Sequence, residues 1–252
     1  MRRCIMTASI AVLSSAACLS QVSVDSDPKD FGLWGEVEAE WGLGKKWSIG
    51  ADFEVRTQDV VGSLARWSAG LGVEFKPAKF LSLESGYSLI DSHYVPSLTS
   101  KGNILDEYWR IKNRFYAGAR LKAKWGIVRP SLRLRYQLTA KSEVSVAKYK
   151  SDGVTRKDNE LKESSTENIA RTKAALEFKT NTLLTPFASF ELYNDLGDGL
   201  SLDKSRLNVG TDIKLNKRHA LSVGYVRTFY SDDNNDNDGC HNALSIGYKI
   251  KM

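Results

Sequence analysis

The chain has 252 residues, a formal charge of +6 and three cysteines, a length that suits one barrel or two small domains. Cys4 and Cys18 fall in an N-terminal leader, which leaves Cys240 alone and excludes an internal disulfide or a cysteine metal site. The basic balance falls to +4 once Arg2 and Arg3 are removed, and no nucleic-acid-binding motif accompanies it, so nucleic acid is not expected as a partner.

The leader reads MRRCIMTASIAVLSSAACLSQ. Arg2 and Arg3 form a basic start, Ile5 to Leu13 a short apolar core, and Ser14 to Ser20 a small-residue cleavage region. The apolar run is too short to cross a membrane, so residues 1–20 are expected to be a secretory signal cleaved after Ser20. Ser15 stands three before Cys18, where a lipobox wants Leu, and this disfavours a lipoprotein. Residues 21–30 read as a short N-terminal segment and 31–252 as one β-domain without a linker.

From Phe31 onward, apolar side chains recur at every second position. In KWSIGADFEVR, Trp47, Ile49, Ala51, Phe53 and Val55 take one parity; Ser48, Gly50, Asp52, Glu54 and Arg56 take the other. This is the period of a strand with one oily and one polar face. Strands are expected near 31–42, 45–56, 64–76, 80–90, 107–123, 127–139, 168–180, 185–194, 204–215, 219–230 and 241–252. At ~3.4 Å per residue and a tilt near 40°, about 11 residues climb roughly 28 Å, the thickness of a bilayer core.

The connections alternate in length. Short turns at 43–45, 77–79, 124–126, 181–184 and 216–218 alternate with long loops at 57–63, 91–106, 140–167, 195–203 and 231–240. Short periplasmic turns and longer extracellular loops characterise outer-membrane barrels. The expected fold is therefore all-β: a single antiparallel transmembrane β-barrel of about 10–12 strands, in the outer membrane of a Gram-negative bacterium. Eleven runs are legible, yet such barrels have an even strand count with both ends periplasmic, so ten or twelve strands is the expectation. Outer-membrane lipid, lipopolysaccharide and the barrel-assembly machinery are the expected partners. Aromatic residues near run ends, Trp34, Trp41, Trp47, Trp67, Trp109, Trp125, Tyr87, Tyr136 and Tyr248, suit girdles at the headgroup zone.

The segments DFGLWGEVEAEWGLGKKWSIGADFEVRTQ, LRLRYQL, PFASFELYND, SRLNVGTDIKL and ALSVGYVRT follow one another in a distinctive order. With Trp34, Arg56, the Arg135-Tyr136 pair, Glu191, Arg206 and Tyr225, they resemble the outer-membrane barrels of Bacteroidota gathered as domain of unknown function 2490. The resemblance covers nearly all of the chain after the leader. It implies fold and location and no activity. Met252 departs from it, since barrel sequences often end in an aromatic residue.

The parity opposite the apolar residues is expected to face the lumen. It supplies an acidic wall of Glu36, Glu38, Glu40, Asp52, Glu54, Glu74 and Glu84 from the early strands. The middle strands supply a basic wall of Arg110, Lys112, Arg114, Arg120, Lys122, Arg133, Arg135, Arg171 and Lys173. Two arrangements fit: a plug in which the walls meet as salt bridges, or a narrow channel with a transverse field. Lumenal glycines, among them Gly50, Gly70, Gly72, Gly86, Gly118, Gly210 and Gly224, are expected to leave room beside the long side chains.

Catalysis is not expected. A lipid-modifying barrel needs a nucleophile and a His base in reach, and only His241 beside Ser231 or Ser245 offers one. No cofactor is expected. The loop SDDNNDNDGC offers a weak calcium site at Asp236 and Asp238, but Ser245 stands where an EF-hand loop needs Glu. The long 140–167 loop reads as solvated and polar, its lysines diluted by acids. The function expected is therefore a non-catalytic barrel, either a narrow passive channel or a structural component of the envelope. The alternatives are a lipid-modifying enzyme and a soluble ligand-binding barrel.

Overall fold

The computed structural model describes residues 31–231 and 241–252. In chain order its strands are β1 (Phe31–Leu43), β2 (Trp47–Gln58), β3 (Ser63–Ala78), β4 (Leu81–Tyr94), β5 (Ser97–Leu98), β6 (Ile104–Leu105), β7 (Tyr108–Lys122) and β8 (Val128–Lys141). They continue as β9 (Val144–Tyr149), β10 (Arg156–Lys162), β11 (Ser165–Phe178), β12 (Leu184–Asp195), β13 (Ser201–Lys214), β14 (His219–Tyr230) and β15 (Asn242–Lys251). Eleven of them close into one barrel in the order β1-β15-β14-β13-β12-β11-β8-β7-β4-β3-β2.

The wall follows from the alternation. Val37, Phe53, Leu71, Phe115, Leu134, Phe190 and Val209 are exposed on the outside of the barrel. Their neighbours of opposite parity, such as Glu54, Arg135 and Asn208, line the inside. An oily exterior around a charged interior is the build of a membrane-spanning barrel. Trp41, Trp47, Trp109, Trp125 and Tyr136 are exposed, as a girdle requires. At the short-turn end, Gly44 and Gly126 take φ of +84° and +58°, left-handed values that let these hairpins reverse without steric cost.

The strand count corrects the expectation of ten or twelve. The barrel has eleven strands, and β1 pairs with β15 in parallel, from Phe31↔Asn242 to Glu40↔Lys251. All other wall pairings are antiparallel. The first connection is a short turn, so β1 starts at the long-loop end. The hairpin between β14 and β15 lies at that same end, so both edge strands run the same way and can close only in parallel.

The loops at 91–106 and 140–167 are also more ordered than their polarity suggests. They supply a separate four-stranded sheet in the order β10-β9-β6-β5. Ile104, Leu105 and Val146 are buried within it, and Asp106 N donates to Ala147 O at 2.9 Å. A few apolar residues and a backbone ladder suffice to order the polar segment.

The signal-peptide reading of residues 1–20, the 21–30 segment, Cys240 and the calcium candidates Asp236 and Asp238 lie outside the described residues.

Candidate functional site

The lumen holds a cavity of about 1930 Å³ lined by the inward-facing side chains. Its two halves differ. Toward the long-loop end the inward side chains are tightly buried: Trp34, Arg56, Arg66, Gln137, Thr139, Tyr193, Lys204 and Thr228. Toward the short-turn end, Glu36, Glu38, Glu40, Asp52, Lys173 and Lys214 stay accessible to the cavity.

Three carboxylates gather the inward cations. Glu191 on β12 accepts from Arg171 Nε and Nη2 at 3.1 and 2.8 Å, from Arg133 Nη2 at 2.7 Å and from Tyr193 Oη at 3.0 Å. Glu84 on β4 accepts from Arg135 Nε at 2.8 Å and Arg120 Nη2 at 3.3 Å. Glu54 on β2 accepts from Arg56 Nη2 at 3.0 Å and lies 3.3 Å from Arg66 Nη2. Each carboxylate thus gathers two or more cations, which keeps an otherwise costly set of charges inside a narrow barrel.

Aromatic rings fill the space between. The Trp34 ring contacts two guanidiniums, Arg56 at 3.9 Å and Arg206 at 4.7 Å. Arg206 also donates to Tyr193 Oη at 2.7 Å, and Arg171 packs 4.5 Å from the centre of the Tyr193 ring. Trp34 on β1 and Arg206 on β13 are three strands apart, so this contact spans part of the lumen. Trp34 is 8% exposed and faces inward, which corrects its reading as a girdle residue. It shares parity with Glu36 and Glu38, the signal that marks it as lumenal.

Most of the lumenal glycines do not leave open room; Gly50 and Gly247 are the exceptions. A Cβ on Gly72 or Gly86 would run into the hydroxyl of Tyr116. One on Gly70 would meet the Asp52 carboxylate, and one on Gly210 would meet Phe187. They are seats for side chains from neighbouring strands. Tyr116, held over two of them, carries Arg135 at 4.1 Å from its ring.

The sequence-expected walls face the cavity with two exceptions, Arg110 and Lys112, the latter buried over the Tyr94 ring. Glu36, Glu38, Asp52, Glu54, Glu74, Glu84, Arg114, Arg120, Arg133, Arg135 and Arg171 all line it. Arg110 instead donates to Ser142 O at 2.8 Å and Glu163 O at 2.6 Å, tying down the base of the 140–167 segment. Among the described residues the two walls meet as salt bridges at Glu84, where β4 adjoins β7, and not across the barrel. Ion pairs run sideways over one or two strands, as in Arg120–Glu84, Arg135–Glu84, Lys249–Glu38 and Lys251–Glu40. Glu191, Arg206 and Tyr193, joined through the Tyr193 hydroxyl, belong to neither expected wall.

The histidines sit apart from one another's chemistry. His93 lies 3.1 Å from Glu107 and stacks on Trp109. His219 Nδ1 is 2.8 Å from Tyr248 Oη at the short-turn end, and His241 packs edge-on against Tyr230. Among the described residues no hydrogen bond joins His241 to Ser231 or Ser245.

An apolar exterior, a closed wall and a charged, partly filled lumen define an outer-membrane-type β-barrel. Residues 31–238 match the family described as "Protein of unknown function (DUF2490)", and the chain belongs to that family. Among solved structures the fold is similar to the translocator domain of the autotransporter NalP from Neisseria meningitidis, with 13% identity and a TM-score of 0.52 over 75% of this chain and 72% of that one. No curated protein matches the sequence.

Proposed function

We propose that this protein is a non-catalytic barrel of the Gram-negative outer membrane whose lumen is shut in its outer half, so that it serves envelope structure rather than open passage. The carrying observation is the cluster of Trp34, Arg56, Arg66 and Tyr193 around Glu54 and Arg206, which buries guanidiniums and rings where a pore would need water. The apolar exterior supports residence in a bilayer, with lipid, lipopolysaccharide on the outer face and the assembly machinery as partners. The long-loop end is then extracellular and the short-turn end periplasmic.

Planar-bilayer recording of detergent-folded protein tests closure, with heat-modifiable gel migration as the folding control. A silent, folded barrel is the expected result. Discrete conductance steps from the unmodified protein would make it a channel instead. Recovery in the soluble periplasmic fraction without detergent would remove the membrane reading altogether.

A further inference from the structure

Charge is neutralised unevenly in the lumen. Glu36 on β1 and Asp52 on β2 make no hydrogen bond or ion pair among the described residues. Glu38 and Glu54 lie near both; the cations nearby are each engaged elsewhere, Lys249 by Glu38 at 3.4 Å, Arg135 by Glu84 at 2.7 Å and Arg66 by Glu54 at 3.3 Å. Across the barrel, Lys173 on β11 also has no hydrogen bond or ion pair among the described residues. It is enclosed by the wall and points into the cavity. Its charged neighbours are Glu191 and the guanidiniums of Arg133, Arg171 and Arg120, and Glu191 is committed to Arg171 and Arg133.

The two sets face each other. From β1, strand β11 is five strands away one way round and six the other, which is the opposite wall. Following the pairings around the staggered barrel brings Lys173 to the height of Glu36 and Asp52. Beside Asp52, a Cβ on Gly50 would meet only Ala39 O at 3.8 Å, so the space there is open.

We propose that this chamber binds a small zwitterionic solute entering from the short-turn side, its cationic group held at Glu36 and Asp52 and its anionic group at Lys173. A simple anion satisfies Lys173 and is repelled by the carboxylates; a simple cation meets the reverse. Only a molecule carrying both signs gains at both walls, and the transverse field orients it. The mouth carries Lys122, Lys124, Arg129, Lys179 and Lys217, which draw the anionic end inward. The direction of entry rests on the reading of a closed outer half; the site itself does not.

The test is calorimetric titration of the folded, full-length protein in detergent. The probes are 4-aminobutyrate, 6-aminohexanoate and 8-aminooctanoate, with hexanoate and hexylamine as single-charge controls. At least one zwitterion should bind about tenfold or more tighter than either control. Glu36→Gln and Lys173→Gln, each confirmed folded by heat-modifiable migration, should each abolish that advantage. Equal binding of zwitterions and controls, no binding of any zwitterion, or an advantage that survives both substitutions would overturn the proposal. The wild-type comparison stands even if a variant fails to fold. Zwitterion binding by a barrel that conducts would keep the site and remove closure; a silent barrel that binds nothing would do the opposite.

Discussion

Arg171 grips Glu191 with two nitrogens, Nε on one carboxylate oxygen at 3.1 Å and Nη2 on the other at 2.8 Å. This two-point clasp joins neighbouring strands β11 and β12, and Arg133 reaches the same carboxylate from β8 at 2.7 Å. The three strands are thereby pinned at one height inside the lumen.

Glu191→Gln should accordingly leave the buried Arg171 guanidinium without its counter-ion and Arg133 with only Glu84, at 3.9 Å. Breaking a buried pair by removing one partner costs about 3–5 kcal/mol. The temperature at which the folded band converts on heat-modifiable gels should fall clearly. Replacing Glu191 and Arg171 together by apolar residues should recover part of the loss.

Trp34→Ala should act on closure more than on folding. It removes the ring that contacts Arg56 and Arg206, forfeiting about 0.5–2 kcal/mol at each contact. The space left adjoins the lumen, so small-ion conductance in bilayers should appear or rise. An unchanged, silent barrel would mean that Arg56, Arg66 and Tyr193 close the lumen without it.

Two glycines give opposed outcomes. A Cβ at Gly86 meets the Tyr116 ring and Leu71 O, so Gly86→Ala should cost about 1–3 kcal/mol through overpacking. Gly50→Ala has only a 3.8 Å contact to accommodate and should stay within about 0.5 kcal/mol of wild type. Urea-induced unfolding in lipid vesicles measures both, and equal effects would contradict the seat assigned to Tyr116.

The outer segment has its own acid dependence. The Asp152 carboxylate accepts from Val154 N at 2.9 Å and Thr155 N at 2.8 Å, and it is also bonded by the Thr155 hydroxyl. These bonds, the Thr155 hydroxyl first, hold its pKa down from 3.8 to about 2. A depressed carboxylate stabilises its turn above the unfolded pKa and loses that effect as pH falls through the folded one. The Val154 and Thr155 amides should therefore stay protected from hydrogen exchange down to about pH 4 and lose protection toward about pH 2. Asp152→Asn should abolish that pH dependence.

Much of this was legible because a strand has period two. Trp47, Phe53 and Leu71 face outward while Asp52, Glu54 and Arg135 face inward, as their parity alone requires. Trp34 was readable too, since it falls in step with Glu36 and Glu38; its position near a run end suggested a girdle instead. Arg110 shows the opposite case. It keeps lumenal parity, but it sits where β7 leaves the barrel, and there loop carbonyls compete for its guanidinium. The sheet of β5, β6, β9 and β10 was hidden because its apolar content is confined to residues such as Ile104, Leu105 and Val146.

The sequence by itself determined that this chain makes a barrel and which face of each strand is oily, because those properties repeat locally every two residues. Which charges pair was decided only in three dimensions. Glu191 finds Arg171 and Arg133 from separate hairpins, and Lys173 is left facing Glu36 because the parallel β1–β15 closure sets the barrel's circumference and stagger. Those are properties of the closed ring, and no single strand carries them.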